Sequence, residues 1–312
     1  MTDLLRTEAL AKEFRSPEGV VRAVGGVDLH VGEGEIVGLV GESGSGKSTL
    51  GRLVLRLLEP TDGHIWFRDQ ELTGLDAKAM RPYRRSMQMV FQDPYASLNR
   101  KMTVRQILEE PLRVHGIAWN TSRLAALLER VGMPEAALQG YPHAFSGGQR
   151  QRIGIARALA VEPEFLVADE PVSSLDVSVQ AQVLNLLGDL RAELGLAMLF
   201  IAHDLAVIRH IADRVVVMYL GRVVEEAPVS RLFSEPRHPY TRALLSAVPV
   251  PNPAGAARGA RIVLSGDIPS PVDVPSGCAF RTRCPLVEKR CAEATPPLEE
   301  VSAGHRRACW VT

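Results

Sequence analysis

One stretch concentrates more chemistry than any other: Gly41-Glu42-Ser43-Gly44-Ser45-Gly46-Lys47-Ser48. Its glycines permit the backbone turns that aim successive N–H groups at an anion. A lysine and a hydroxyl residue follow at once, which matches G-x-x-x-x-G-K-[ST] at every fixed position. The pattern predicts a loop that cradles phosphate oxygens, with Lys47 reaching the β- and γ-phosphates and Ser48 ligating Mg²⁺. A merely flexible glycine turn would not need that lysine and serine. The second candidate is Phe165-Leu166-Val167-Ala168-Asp169-Glu170. An apolar strand that ends in carboxylates delivers them to the sheet edge where ligands bind. Asp169 is then a Mg²⁺ residue and Glu170 the group that polarises the attacking water.

These residues need a frame. Glu35–Val40 is an apolar run of strand length directly ahead of the glycine loop, and Leu50–Leu58 after it has helical periodicity. Phe165–Ala168 and Ala197–Ala202 are further short buried-strand runs. Val179–Leu194 between them carries apolar residues at helical spacing. Strand, helix, strand in this order predicts a parallel sheet covered by helices, and so an α/β fold. A hairpin is expected where Val215–Leu220 meets Gly221-Arg222 and Val223-Val224. Beyond about residue 235 the composition changes, and the prolines between Val248 and Pro275 suggest an irregular connection. The chain therefore divides into residues 1–235 and an extension, 236–312.

Phe145-Ser146-Gly147-Gly148-Gln149-Arg150-Gln151-Arg152 lies between the two motifs. Serine and two glycines before a helical stretch make a second anion site from backbone N–H groups and a helix N-terminus. Taken with Lys47 and Asp169-Glu170, this stretch resembles the signature of ABC-transporter ATPases, with Phe145 where leucine is usual. The resemblance spans residues 1 to about 250. It implies a cassette with a parallel-sheet core, an antiparallel β subdomain and a helical subdomain. It also implies that ATP is bound by Gly41 through Ser48 and Thr49, and capped by Ser146, Gly147, Gly148 and Gln149 of a second cassette. Other implied site residues are Gln92 as the Q-loop that senses Mg²⁺ and water, Ser173-Ser174-Leu175-Asp176 as the D-loop, His203 as the switch histidine, and Phe14 as the ring stacked on adenine.

Pro94-Tyr95-Ala96-Ser97-Leu98-Asn99, the Asp176–Gln182 stretch and His238-Pro239-Tyr240-Thr241 resemble the oligopeptide and dipeptide importers within that family. The resemblance implies an ATPase that powers import of peptides or related solutes. It implies two transmembrane permease subunits, a second ATPase subunit (a paralogue or a second copy), and indirectly an external solute-binding protein. Its place would be the cytoplasmic face of the cell membrane.

The four cysteines are Cys278, Cys284, Cys291 and Cys309. Their spacing is not that of a zinc ribbon, where thiols pair two residues apart. Four irregularly spaced thiolates suit a cubane that takes one ligand per iron. Arg281, Arg283, Arg290, Arg306 and Arg307 could offset its charge. Some peptide importers carry a [4Fe–4S] cluster in this extension, which favours that choice over zinc or over thiols without metal. On this reading the ATP site is complete without the extension.

Composition bounds the remainder. The chain has 312 residues with 36 basic and 36 acidic side chains, so no basic excess favours a nucleic-acid partner. Apolar runs such as Ala197–Ala202 fall far short of a membrane span. Met1–Arg6 lacks a basic-then-apolar signal, and a cytosolic chain is expected. A DNA-repair ATPase of the same family would need a long coiled coil between Gln92 and Ser146, and too few residues lie there. A ribosome-acting relative would carry two cassettes. A non-hydrolysing regulator would not need both Glu170 and His203.

Overall fold

The computed structural model describes residues 3–248 and 262–312. The chain opens with two long antiparallel strands, β1 (Asp3–Ser16) and β2 (Gly19–Gly32). Then come β3 (Ile36–Val40), the glycine loop and α1 (Lys47–Val54). β4 (Asp62–Phe67) and β5 (Gln70–Glu71) join the first pair in a four-stranded sheet of order β2-β1-β4-β5. α2 (Arg81–Ser86) and β6 (Met87–Val90) lead into a helical region of α3 (Pro94–Ser97), α4 (Val104–Val114), α5 (Thr121–Arg130) and α6 (Gly147–Leu159). The chain returns through β7 (Phe165–Asp169), α7 (Val177–Leu194), β8 (Ala197–Ala202), α8 (Leu205–Ile211), β9 (Arg214–Tyr219) and β10 (Arg222–Pro228). It continues through α9 (Val229–Ser234), α10 (Pro239–Ser246), α11 (Arg290–Glu293), β11 (Glu299–Ser302) and β12 (His305–Arg307).

The second sheet has the order β11-β12-β10-β9-β3-β8-β7-β6. Five neighbouring strands, β9-β3-β8-β7-β6, run parallel. Every residue of β3, β7, β8 and β9 is buried, which is why these strands read as continuous apolar runs. Alternate side chains serve different cores. Ile36 and Val40 pack with Leu108, Leu128 and Ile153 of the helical region. Val37 and Leu39 pack with Leu50 of α1 and with Leu5 and Phe67 of the antiparallel sheet. The glycine loop leaves the end of a strand gripped from both sides.

The hairpin between β9 and β10 turns at Leu220-Gly221, one residue earlier than expected, with φ of 44° and 79°. Two successive positive φ values are what a two-residue turn of this hand demands. Arg222 already pairs with Tyr219. The extension is more ordered than its composition suggests. β12 pairs with β10 through Glu225↔Arg307 and Glu226↔Arg306, so the main sheet continues into it. Part of the expected irregular connection lies outside the described residues; from 262 to 275 there is neither helix nor strand.

Candidate functional site

The glycine loop follows β3 and is wedged between two strands. At Gly41, with φ +154°, an added Cβ would sit 2.2 Å from the Met218 carbonyl oxygen of β9. At Gly46, with φ +99°, it would sit 2.1 Å from the Ala23 carbonyl oxygen of β2. Only glycine fits either place. The Gly221 N–H donates to the Ser45 carbonyl at 2.9 Å, so the β9–β10 turn anchors the loop as well. Lys47 is buried and donates to the carbonyls of Gly41 (2.7 Å) and Glu42 (2.9 Å). Burial lowers its pKa, while the charges of Glu170, Asp169 and Glu42 oppose that shift. The first helical turn of α1 carries no acidic side chain, which leaves its positive end free for an anion.

β7 brings Asp169 and Glu170 to the same edge. The Ser48 hydroxyl donates to Asp169 Oδ1 at 2.8 Å, joining the two expected Mg²⁺ residues. Burial raises the Asp169 pKa, against the Ser48 hydrogen bond and the charge of Arg52. An ionised pair of oxygens at that place is stabilised by a cation, so the donor set suits Mg²⁺. Gln92 Nε2 donates to Glu170 Oε2 at 2.8 Å, and His203 Nδ1 lies 3.6 Å from the same oxygen. Glu170 adopts φ +45°, a left-handed conformation that costs a non-glycine residue about 1 kcal/mol or more. It is fastened there: its carbonyl accepts from the N–H and hydroxyl of Ser173. Two residues far apart in the chain thus converge on one carboxylate oxygen of Glu170.

Ser146, Gly147 and Gly148 line a cleft of about 930 Å³ together with Gln92, Glu170 and His203. The Ser146 side chain accepts from the Gln149 N–H, and Gln149 Oε1 accepts from the Ser146 N–H. This reciprocal cap fixes the start of α6 and occupies the Gln149 side chain. A Cβ on Gly148 would lie 2.4 Å from Val179 Cγ1 of α7, so this glycine is required for close packing. Phe14 sits on β1 opposite Val21, on the strand pair that backs Gly46, with its ring 38% exposed. The Lys12 ammonium lies over this ring, 5.2 Å from its centroid.

The extension touches the site, contrary to the expectation that the site is complete without it. The Glu42 N–H donates to the Tyr240 hydroxyl at 2.8 Å, and Arg283 grips the Glu42 carboxylate with two N–H groups, at 2.6 and 3.1 Å. Neither contact was foreseen. His238-Pro239-Tyr240-Thr241, read as a family marker, is the segment that delivers Tyr240: His238 Nδ1 caps α10 by accepting from the Tyr240 N–H.

The four cysteines are free thiols. They lie close enough together that, after burial, the charges of Cys291, Cys309 and Cys284 help push the Cys278 thiol up to about 11. Burial also raises Cys284. Among the described residues, however, no group of three or more His, Cys, Asp or Glu side chains is arranged to hold a metal ion. The thiols share one neighbourhood but are not arranged as a ligand set. The arrangement gives the expected [4Fe–4S] cluster no support beyond that proximity.

Residues 24–173 match the family model described as "ABC transporter", and residues 224–291 match "Oligopeptide/dipeptide transporter, C-terminal region". A Brucella ovis protein named for peptide import and ATP binding is 55% identical over 311 residues, 99% of this chain and 98% of that one. The oligopeptide transport ATP-binding protein AppF of Bacillus subtilis is 50% identical over 300 residues, 95% of this chain and 91% of the other. Among solved structures, the ATP-binding cassette MJ0796 in a dimeric post-hydrolysis state with ADP and Pi superposes with a TM-score of 0.67. It is 30% identical, with 72% of this chain and 98% of that chain covered. CbiO1 from Clostridium perfringens, part of a transporter complex, gives 0.66 at 28% identity, covering 75% and 92%.

Proposed function

The chain belongs to the ABC transporter family of ATPases, and we propose that it is the ATP-binding and hydrolysing subunit that powers an importer of peptides. One observation carries the catalytic part: Gln92 and His203 converge on Glu170 Oε2 beside the Ser48–Asp169 pair, and Lys47 senses the charge of both carboxylates. The loop from Gly41 to Ser48, with Thr49 after it, binds the triphosphate, and Phe14 takes the adenine. Ser48 and Asp169, with Gln92 nearby, would hold Mg²⁺, which neutralises charge on the transferring phosphoryl group. Glu170 accepts the proton of the attacking water. Gln92 orients that carboxylate and His203 steadies the phosphate.

A capped helix N-terminus at Ser146-Gly147-Gly148 is an anion site that Lys47 of the same chain does not share. This supports the reading that it serves the nucleotide of a second cassette, a paralogue or another copy, with each ATP held between two chains. No helix among the described residues is long and apolar enough to cross a membrane. On the proposed reading the membrane path belongs to two permease subunits, with an external solute-binding protein upstream, and the chain works at the cytoplasmic face of the membrane.

Co-expression with the two permeases tests this. Stable co-purification and ATP hydrolysis stimulated by the solute-binding protein loaded with peptide are expected. A strictly monomeric chain whose rate per molecule is independent of concentration would refute the two-cassette arrangement. For the four thiols, the finer proposal is metal ligation, by a [4Fe–4S] cluster in first place, supported by their mutual proximity alone. Anaerobic purification followed by iron and zinc analysis decides it: about four irons per chain supports the cluster. Zinc without iron, or four free thiols, overturns it.

A further inference from the structure

Every polar group of Glu42 is engaged. Its N–H donates to Tyr240 Oη, and its carbonyl accepts from Lys47 Nζ and from the Ser45 N–H at 3.1 Å. Both carboxylate oxygens accept from Arg283. Two of these partners come from the extension, across 198 and 241 residues of chain. The Arg283 residue is only 8% exposed, so the pair is not an ordinary surface bridge. Its support is built as well. Arg283 N–H bonds to the Phe280 carbonyl at 3.0 Å. The Phe280 ring is buried against Tyr219 (centroids 5.2 Å apart) and Tyr240 (5.4 Å), which also face each other at 4.8 Å. Gly277, at φ +66°, lets the segment approach closely: a Cβ there would lie 2.4 Å from the Cys291 carbonyl oxygen.

We propose that Arg283 is a positioning residue of the nucleotide site, acting through Glu42 to orient the phosphate loop and to neutralise a carboxylate beside the triphosphate. The inference rests on the reading of that loop as an ATP site. Two physical effects follow from the geometry. A planar guanidinium holds the carboxylate in one orientation through a two-pronged grip, and with it the backbone of the loop's second residue. It also offsets a negative charge that reaches Lys47. Without Arg283, that charge would stand uncompensated near an incoming anion. The segment between Cys278 and Cys284 is then part of the ATP-binding apparatus, and nucleotide and extension stabilise one another reciprocally.

The test uses the full chain and MgATP, with affinity read by displacement of a fluorescent nucleotide. Arg283→Met is expected to weaken MgATP binding about tenfold, the scale of a charged hydrogen-bonded pair. Arg283→Lys should fall between, since it keeps the charge and loses the fork. Adding Glu42→Gln to Arg283→Met should recover much of the loss, because it removes the uncompensated charge. A purely structural staple would show no such rescue. Hydrogen exchange of the amides from 278 to 284 supplies the reciprocal readout: MgATP should slow it in the wild type and have little effect in Arg283→Met. Wild-type affinity in Arg283→Met, or a loss that Glu42→Gln does not relieve, overturns the proposal. A wild-type chain that does not bind MgATP would instead overturn the nucleotide-site reading, and the proposal with it.

Discussion

Replacing Glu170 by glutamine removes one charge and almost no shape. The Gln92 amide, now 2.8 Å from Glu170 Oε2, still finds an acceptor in the new side chain's carbonyl oxygen. The Ser173 bonds to the residue-170 carbonyl come from the backbone and hydroxyl and do not depend on the carboxylate. The fold around the site should therefore survive. What disappears is the carboxylate proposed as the proton acceptor. General-base catalysis is worth roughly 10²- to 10⁴-fold, or about 3–5 kcal/mol of barrier, so kcat should fall by that factor.

Binding should move the other way. Glu170 is the charge with the largest effect on Lys47 after burial, and Asp169 and Glu42 come next. Neutralising Glu170 lowers the negative potential that a triphosphate meets as it approaches Lys47. MgATP affinity should stay level or rise a few-fold, and ATP should accumulate unhydrolysed in a closed two-cassette complex. Lys47→Ala provides the contrast, because it removes the phosphate contact itself and should weaken binding. Single-turnover hydrolysis and equilibrium binding, measured on the same preparations, separate the two effects. Hydrolysis near the wild-type rate in Glu170→Gln would refute the assignment of the base. Affinity lost in step with turnover would refute the charge argument.

Three further outcomes follow from contacts in the site. Gly46→Ala would bring a Cβ to 2.1 Å from the Ala23 carbonyl oxygen; the backbone must yield by about an ångström, enough to cost on the order of 100-fold in turnover, and near-normal turnover would contradict the wedged loop. Gly148→Ala should impair hydrolysis by displacing the start of α6 from Val179, with partial rescue by Val179→Ala; a folded double variant without any rescue would count against that packing. Burial first, then the charge of Arg307, depresses His238 from 6.5 to about 3, so the unfolded chain binds a proton that the folded chain refuses. Stability should be unaffected above about pH 6.5 and fall as pH drops below it, by up to about 1.4 kcal/mol per unit from this group, and urea unfolding of His238→Asn should show a shallower slope; an unchanged slope would refute the argument.

The fold was legible wherever one residue type does one job. β3, β7, β8 and β9 are buried on both faces, so their sequences are bare apolar runs that locate a parallel sheet. The glycine loop was legible because phosphate binding requires particular residues at particular spacing. Convergence was less so. Gln92 lies 78 residues from Glu170 in the chain, and no local pattern says that they meet; the strand pattern placed Glu170, and family resemblance placed Gln92. β11 and β12 escaped because they pair through backbone groups while their side chains, Glu299-Glu300-Val301-Ser302 and His305-Arg306-Arg307, show no apolar alternation. Arg283 escaped for a different reason. An arginine among cysteines invites a reading of local charge balance, and its true partner is in another part of the chain. A carboxylate at the second position of a phosphate loop was the available signal, since a negative charge there calls for a compensating cation.

Gln92 also links the start of the helical region to Glu170. It lies between β6 of the main sheet and α3 of the helical region. α3 is bound to α6 by two arginines: Arg157 Nη1 donates to the Ser97 carbonyl at 2.5 Å, and the Arg150 guanidinium stacks 3.9 Å from the Tyr95 ring. The segment after Gln92 and the helix that begins at Ser146 are therefore tied to each other, while β6 just ahead of Gln92 is paired with β7. A displacement of the helical region would carry α3 with the capped start of α6, and Gln92 is the junction to the strand that stays. Glu170 stays behind, held by β7 and by Ser173. The bond that must absorb the difference is the one from Gln92 Nε2 to Glu170 Oε2. A single hydrogen bond between exposed side chains is weak enough to break and directional enough to matter. The orientation of the Glu170 carboxylate is thus linked, through Gln92, to the position of the helical region.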